Sequence, residues 1–223
     1  MTPAEMLHRV QQRVHAQLQQ AGWLTAASVP AADLSRDSQL WLHVPDCDPA
    51  PYVAAADRVL SGALRVFALD EAMVGNPPQW NRCPRKGVTA PMGFGKTLNY
   101  RDETLVGDIK YLWEPNRHLH LVTLAQAYRL TGESRYLDGL RHQLTSWFEQ
   151  CPYLQGPNWT SSLELAIRLI NWSLVWQLLG GLQGPVLGDP AQRAFRDAWL
   201  AAVYRHAHFI AGHLSRHSSA NNH

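Results

Sequence analysis

The sequence predicts a mainly all-α fold of antiparallel helical hairpins, with an irregular N-terminal region. From Asp108 onward, apolar residues recur at helical spacing over four long segments. Each segment opens on a capping residue or closes on a glycine. The turns between them are short, which sets neighbouring helices antiparallel.

Thr2-Pro3-Ala4-Glu5 reads as a helix start, with Met6, Val10, Val14 and Leu18 on one face and an end near Gly22. Residues 24–53 are Pro-rich and aperiodic, so residues 1–50 form a helix plus linker and the main domain runs from 51 to 223. Leu64–Leu69 is compatible with a short strand, and Gly75–Tyr100 is dense in Gly and Pro, a functional surface rather than a simple connector. One helix is expected from Val106 to Leu130, kinked or broken at Pro115 and stopped by Gly132. Ser134 caps the next, which carries Leu137, Leu140, Leu144 and Trp147. Ser161 with Glu164 makes a capping box for a third helix, striped by Leu163, Ile167, Ile170 and Leu174. Asp189-Pro190 starts a fourth, reaching about Leu214, and a further helix begins near Ser218.

Composition narrows the function classes. At 223 residues the chain buries one sizeable core, and 46% hydrophobic against 17% charged content is globular. A net charge of +2 without a dense basic run gives no case for nucleic acid. Arginine far outnumbers lysine, which suits carboxylate or sulfate ligands. The 9 Trp serve equally as core fillers and as sugar platforms. Cys47, Cys83 and Cys151 are an odd, widely spaced set, against a disulfide framework. No apolar run is long enough for a membrane span, and Met1–Gly22 lacks a signal core, so the chain as written reads as cytoplasmic.

Two polar clusters carry candidate chemistry. Lys110, Trp113, Glu114, Asn116 and Arg117 surround Pro115 at an interrupted helix, where re-aimed side chains suit a ligand surface. On pattern alone they also fit a solvated face with Lys110 and Glu114 as an i,i+4 pair. Asn158, Trp159, Ser162, Glu164 and Arg168 form the second, with Trp159 as a sugar platform and Arg168 aimed at an anionic substituent. Here too a bland alternative stands: Glu164 as a cap residue and Arg168 as its i,i+4 partner. His206, His213 and His217 share helical spacing without a local carboxylate or Cys, so no metal is assigned. Gly93–Thr97 echoes the end of a phosphate-binding loop but lacks its earlier glycine. Asn221-Asn222-His223 sets a carboxamide beside an imidazole, one to bond a sugar carboxylate and the other to move a proton.

Taken in order, Asp108–His118, then Gly156-Pro157-Asn158-Trp159 with Glu164 and Arg168, then Asn221-Asn222-His223, the sequence resembles the N-terminal helical domain of the heparinase II/III family of polysaccharide lyases. The resemblance covers roughly residues 50–223. It implies an incomplete (α/α) toroid, truncated here, and β-elimination on a uronate-containing acidic polysaccharide without a cofactor. It assigns catalysis to Asn222 and His223, and substrate binding to Lys110, Trp113, Glu114, Asn116, Arg117, Asn158, Trp159, Glu164 and Arg168. It places the general-acid Tyr and a partner His, with a β-sandwich domain, beyond residue 223, so these residues alone are expected to be inactive. It also opens a periplasmic or secreted location. Two other readings stay open: a toroid-fold glycoside hydrolase using Glu114 with Glu164 or Asp108, and a non-catalytic helical module for an acidic glycan or a protein partner.

Overall fold

A computed structural model describes residues 2–34, 40–184 and 186–214. Helix α1 (Pro3–Gln20) opens on Thr2, whose hydroxyl accepts from the Glu5 N–H at 3.2 Å. Helix α2 (Ala50–Leu60) follows the Pro-rich stretch; its alanine-rich sequence hides the apolar stripe, and only Ala56 and Val59 are buried. The expected strand at Leu64–Leu69 is instead a two-stranded hairpin, β1 (Ala63–Val66) antiparallel to β2 (Leu69–Met73). Phe67, at φ 50°, makes the reversal between them.

The single kinked helix expected from Val106 to Leu130 is three pieces: α3 (Glu103–Val106), α4 (Ile109–Asn116) and α5 (Leu119–Thr131). Gly107 ends α3 at φ 69°, and a side chain there would meet the Cys83 Cβ at 2.6 Å. The Asp108 carboxylate then caps α4 by accepting from the Lys110 N–H at 3.2 Å. Pro115 has no N–H to offer the Tyr111 carbonyl, and α4 ends one residue later. His118, left-handed at φ 64°, turns the chain into α5, which stops at left-handed Gly132.

Helices α6 (Ser134–Gln150), α7 (Ser162–Leu178) and α8 (Arg193–Gly212) complete the body. Two expected caps differ in detail. Glu133, not Ser134, is the N-cap of α6; Ser161 is the N-cap of α7 without a side-chain bond, and the Glu164 carboxylate that would complete the capping box binds Arg117 instead. Asp189 caps a short 3-10 turn that leads into α8, which ends at Gly212 rather than Leu214. The helix expected near Ser218 lies outside the described residues.

Helices α5 and α6 form a hairpin over the two-residue link Gly132-Glu133. Helices α7 and α8 form the next: Arg168 faces His206 and Trp176 faces Trp199, so they run antiparallel. Helices α5 and α7 lie side by side and α6 touches α8, so one hairpin stacks on the other. Trp80, Trp147, Trp159, Trp172 and Trp199 are buried, which decides between core filler and sugar platform for these five. Trp147 meets Trp172 edge-on at 5.8 Å, and Trp172 meets Trp199 likewise at 6.4 Å. Ser162–Gln183 is apolar and long enough to pass as a membrane span by composition, but half of it is buried in this core.

The 93–97 loop is fixed to the turn before α7. The Gly95 N–H donates to the Leu154 carbonyl and the Gly156 N–H to the Gly93 carbonyl, both at 2.8 Å. A Cβ on Gly95 would stand 2.5 Å from the Trp159 carbonyl oxygen. Gly95→Ala is therefore expected to destabilise the protein by about 1–3 kcal/mol, read as a lower urea midpoint with faster hydrogen exchange in both segments.

Candidate functional site

The two polar clusters meet at the C-terminal end of α4. A helix end leaves carbonyls without intrahelical partners, and here side chains from elsewhere supply the donors. The Arg168 Nε donates to the Asn116 carbonyl, and the Asn171 Nδ2 donates to the Arg117 carbonyl at 2.8 Å. The Asn116 amide donates to the Trp80 and Leu112 carbonyls at 2.8 Å each, while its oxygen accepts from the Trp147 Nε1 at 2.9 Å. Arg117 then reaches across to α7. Its Nε and Nη2 bond the two oxygens of Glu164 at 2.7 and 3.0 Å, and its Nη1 bonds Glu114 at 2.6 Å. The bond to Glu164 raises the Arg117 pKa above its ordinary value.

Arg168 is wholly buried. Its guanidinium lies over the Trp147 ring at 4.5 Å and donates to the His206 Nε2 at 2.9 Å. The His206 Nδ1, 2.7 Å from the Ala202 carbonyl, must carry the ring proton, so the imidazole is neutral. Burial lowers the Arg168 pKa to about 10, and burial together with the Arg168 charge holds His206 well below 6.5. His118 accepts from the Trp172 Nε1 at 2.9 Å and is also held well below 6.5, first by burial. Burial brings His120 to about 4 and raises the Cys151 thiol to about 12.

This geometry corrects several expectations. Asn116, Asn158, Trp159, Glu164 and Arg168 are buried and do not present side chains to a ligand. Asn158 donates to the Asn81 Oδ1 at 3.1 Å, and the Trp159 Nε1 donates to the Cys151 carbonyl at 3.1 Å. Arg168 does not pair with Glu164 and points instead at α4 and α8. Glu114 and Arg117 are about a quarter exposed, and the two carboxylates outweigh the one guanidinium. Lys110 is exposed, and among the described residues neither it nor Trp113 is drawn into the buried network. Trp113, half-buried, donates from its Nε1 to the Pro157 carbonyl at 3.0 Å, tying α4 to the second cluster's turn.

Two neighbours were not among the expected site residues. Tyr100 meets Trp113 at 5.6 Å, giving a half-buried aromatic pair whose indole lies about one helical turn from Lys110 on α4. Lys96, on the loop first considered for phosphate, donates to the Thr160 carbonyl at 3.1 Å, and burial lowers its pKa. His213 bonds Gln12 and Gln19 on α1. His217, Asn221, Asn222 and His223 lie outside the described residues. Among the described residues no group of three His, Cys, Asp or Glu is placed to hold a metal.

The structure thus defines a mainly helical domain of stacked hairpins around a sealed polar junction. The family model described as heparinase II/III N-terminus matches residues 57–223. The chain therefore belongs to the heparinase II/III family, through its N-terminal domain. Searches of curated proteins and of solved structures each return no match.

Two predictions follow from the buried network. Lysine at 168 cannot fill the guanidinium's planar fork, so Arg168→Lys is expected to cost about 3 kcal/mol or more, read by chemical denaturation. The buried histidines set an acid limit. Unfolded histidine takes up protons below 6.5, whereas His118, His120 and His206 resist them in the fold. Stability is thus complete above 6.5 and lost as pH falls, by up to about 1.4 kcal/mol per pH unit for each histidine. A denaturation midpoint that stays flat on acidification from neutrality toward pH 5 contradicts this.

Proposed function

We propose that this chain is the helical, substrate-side part of a polysaccharide lyase that cleaves a uronate-containing acidic polysaccharide by β-elimination. Membership of the heparinase II/III family over residues 57–223 carries the reading. The exposed Lys110 beside the Trp113–Tyr100 pair supports it: an ammonium for a sugar carboxylate next to aromatic faces for the ring. In this reading the stacked α5–α6 and α7–α8 hairpins belong to an (α/α) toroid, and a β-sandwich domain closes the site.

Elimination requires three things. The uronate carboxylate must be neutralised so that the C5 proton can leave, a base must take that proton, and an acid must protonate the departing O4. Asn222 serves the first need, as an amide donor toward the developing enediolate, worth roughly 3 kcal/mol if it acts as an oxyanion-hole donor does. His223 shares in proton transfer, and the general-acid Tyr with a second His comes from the remainder of the site. The step as written uses no metal or organic cofactor. The Arg117–Glu164 pair positions α4 so that Lys110 and Trp113 face the substrate, and Arg168 acts through α4 rather than on the sugar.

The hydrolase reading loses its main support. Glu164 is buried and shares the Arg117 guanidinium with Glu114, while Asp108 caps α4 and pairs with Arg85, so these carboxylates are already engaged.

The test is release of unsaturated, ultraviolet-absorbing uronate ends by the intact protein from a panel of acidic polysaccharides. Asn222→Ala is expected to lower kcat by about a hundredfold or more. Lys110→Ala and Trp113→Ala are expected mainly to raise KM. Saturated ends alone, or an Asn222→Ala enzyme with full turnover, would falsify the lyase reading.

A further inference from the structure

Helix α1 packs with its polarity inverted. At 3.6 residues per turn, Met6, Leu7, Val10, Val14 and Leu18 share a sector of about 120°, and all five are exposed. Glu5, His8, Gln12, His15 and Gln19 occupy the opposite sector, and this is the face turned to the protein. The Gln12 side chain donates to the Gly212 carbonyl at 3.3 Å, and the two His213 ring nitrogens meet Gln12 and Gln19 at 3.1 and 2.7 Å. His15 packs edge-on against His213 at 5.0 Å. A helix whose only role was to cover α8 would bury its apolar sector. Here the polar side does the anchoring, and the apolar side faces away from the body.

The surroundings of the stripe indicate what covers it. Arg9 and Arg13 lie along one edge of the apolar sector, and Arg13 is exposed. The one acidic residue of the helix, Glu5, sits toward the body and pairs with Arg9. Beyond the helix, the Trp23 N–H donates to the Leu18 carbonyl at 2.8 Å, which holds Trp23 at the end of the stripe with 70% of its surface exposed. An apolar stripe one helix wide, edged by arginine and ended by an open indole, matches the anionic interface of a bilayer. A second copy suits it less well. Antiparallel pairing through the stripe brings the arginine edge against its own counterpart, and one such stripe is small beside the roughly 800 Å² per partner of a standard interface.

We infer that α1 is a membrane-surface helix: its polar face locks onto the end of α8 while Met6, Leu7, Val10, Val14, Leu18 and Trp23 enter the interface of an anionic bilayer. The protein then lies on the membrane without spanning it. The test is flotation with vesicles of phosphatidylcholine containing phosphatidylserine, against vesicles of phosphatidylcholine alone. The wild-type protein should float with the anionic vesicles, and high salt should weaken this. Val10→Glu with Val14→Glu should lower partitioning by about tenfold or more, and Arg13→Gln should lower it less. Met73→Glu, also on an exposed apolar side chain, should leave it unchanged. Because the altered side chains are exposed, unchanged circular dichroism is expected for all variants; Leu7→Glu alone gives a milder second probe. Wild-type protein that stays with the solvent overturns the inference, as does equal flotation of the Val10/Val14 variant. A wild-type dimer that this variant makes monomeric also overturns it and assigns the stripe to a second copy.

Discussion

A single buried guanidinium organises this protein. Arg168 has no carboxylate within ion-pair distance among the described residues, so its charge must be met by dipoles and by a ring face. The C-terminal end of α4 provides the partly negative carbonyl of Asn116, α8 the lone pair of His206, and α6 the Trp147 face. Four helices are thereby held at one point. With the end of α4 fixed, the next residue, Arg117, meets Glu164 one helical turn before Arg168 on α7. The position of α4, and with it that of the exposed Lys110, depends on that arrangement. A chemically similar cation does not substitute, because the planar fork and the stacking surface are both in use.

Much of the helical body was legible in the sequence, because long apolar stripes report which face a helix buries. The stretch from Ser134 to Gln150 shows this: Leu140, Leu144 and Trp147 form the expected inward stripe. The failures have local causes. In α2 the small alanines blur the pattern. Around Pro115 the periodicity runs on through both α4 and α5, whereas the backbone breaks at His118, which is left-handed although few non-glycine residues are. At Ser161 the capping motif is present, but Glu164 is claimed by a stronger partner, a guanidinium from another helix.

The two polar clusters were legible as neighbours, and the roles of their members were not. Sequence order brought both polar clusters to attention, and they do meet in space. Which of their members face solvent depends on contacts between residues far apart in the chain, such as Arg117 with Glu164 and Asn116 with Trp147. Spacing along one helix does not encode those contacts. The same holds for Tyr100, whose place beside Trp113 is fixed by an irregular segment. For histidines at helical spacing, the partner decides the meaning: His206 is a neutral acceptor for Arg168, and His213 is a bridge to α1.

The fastening of the 93–97 loop to the turn at 154–160 has a consequence for synthesis. The two segments share backbone hydrogen bonds across about sixty residues, and neither is covered without the other. As the chain leaves the ribosome, the loop emerges first and stays without its partner until the turn has cleared the exit tunnel. Its two glycines suit that interval, since glycine weakens a strand with which another chain could pair. Consolidation of this half of the body is thus deferred to the arrival of a late segment, and the α5–α6 hairpin, closed by its own two-residue link, is the part able to form meanwhile.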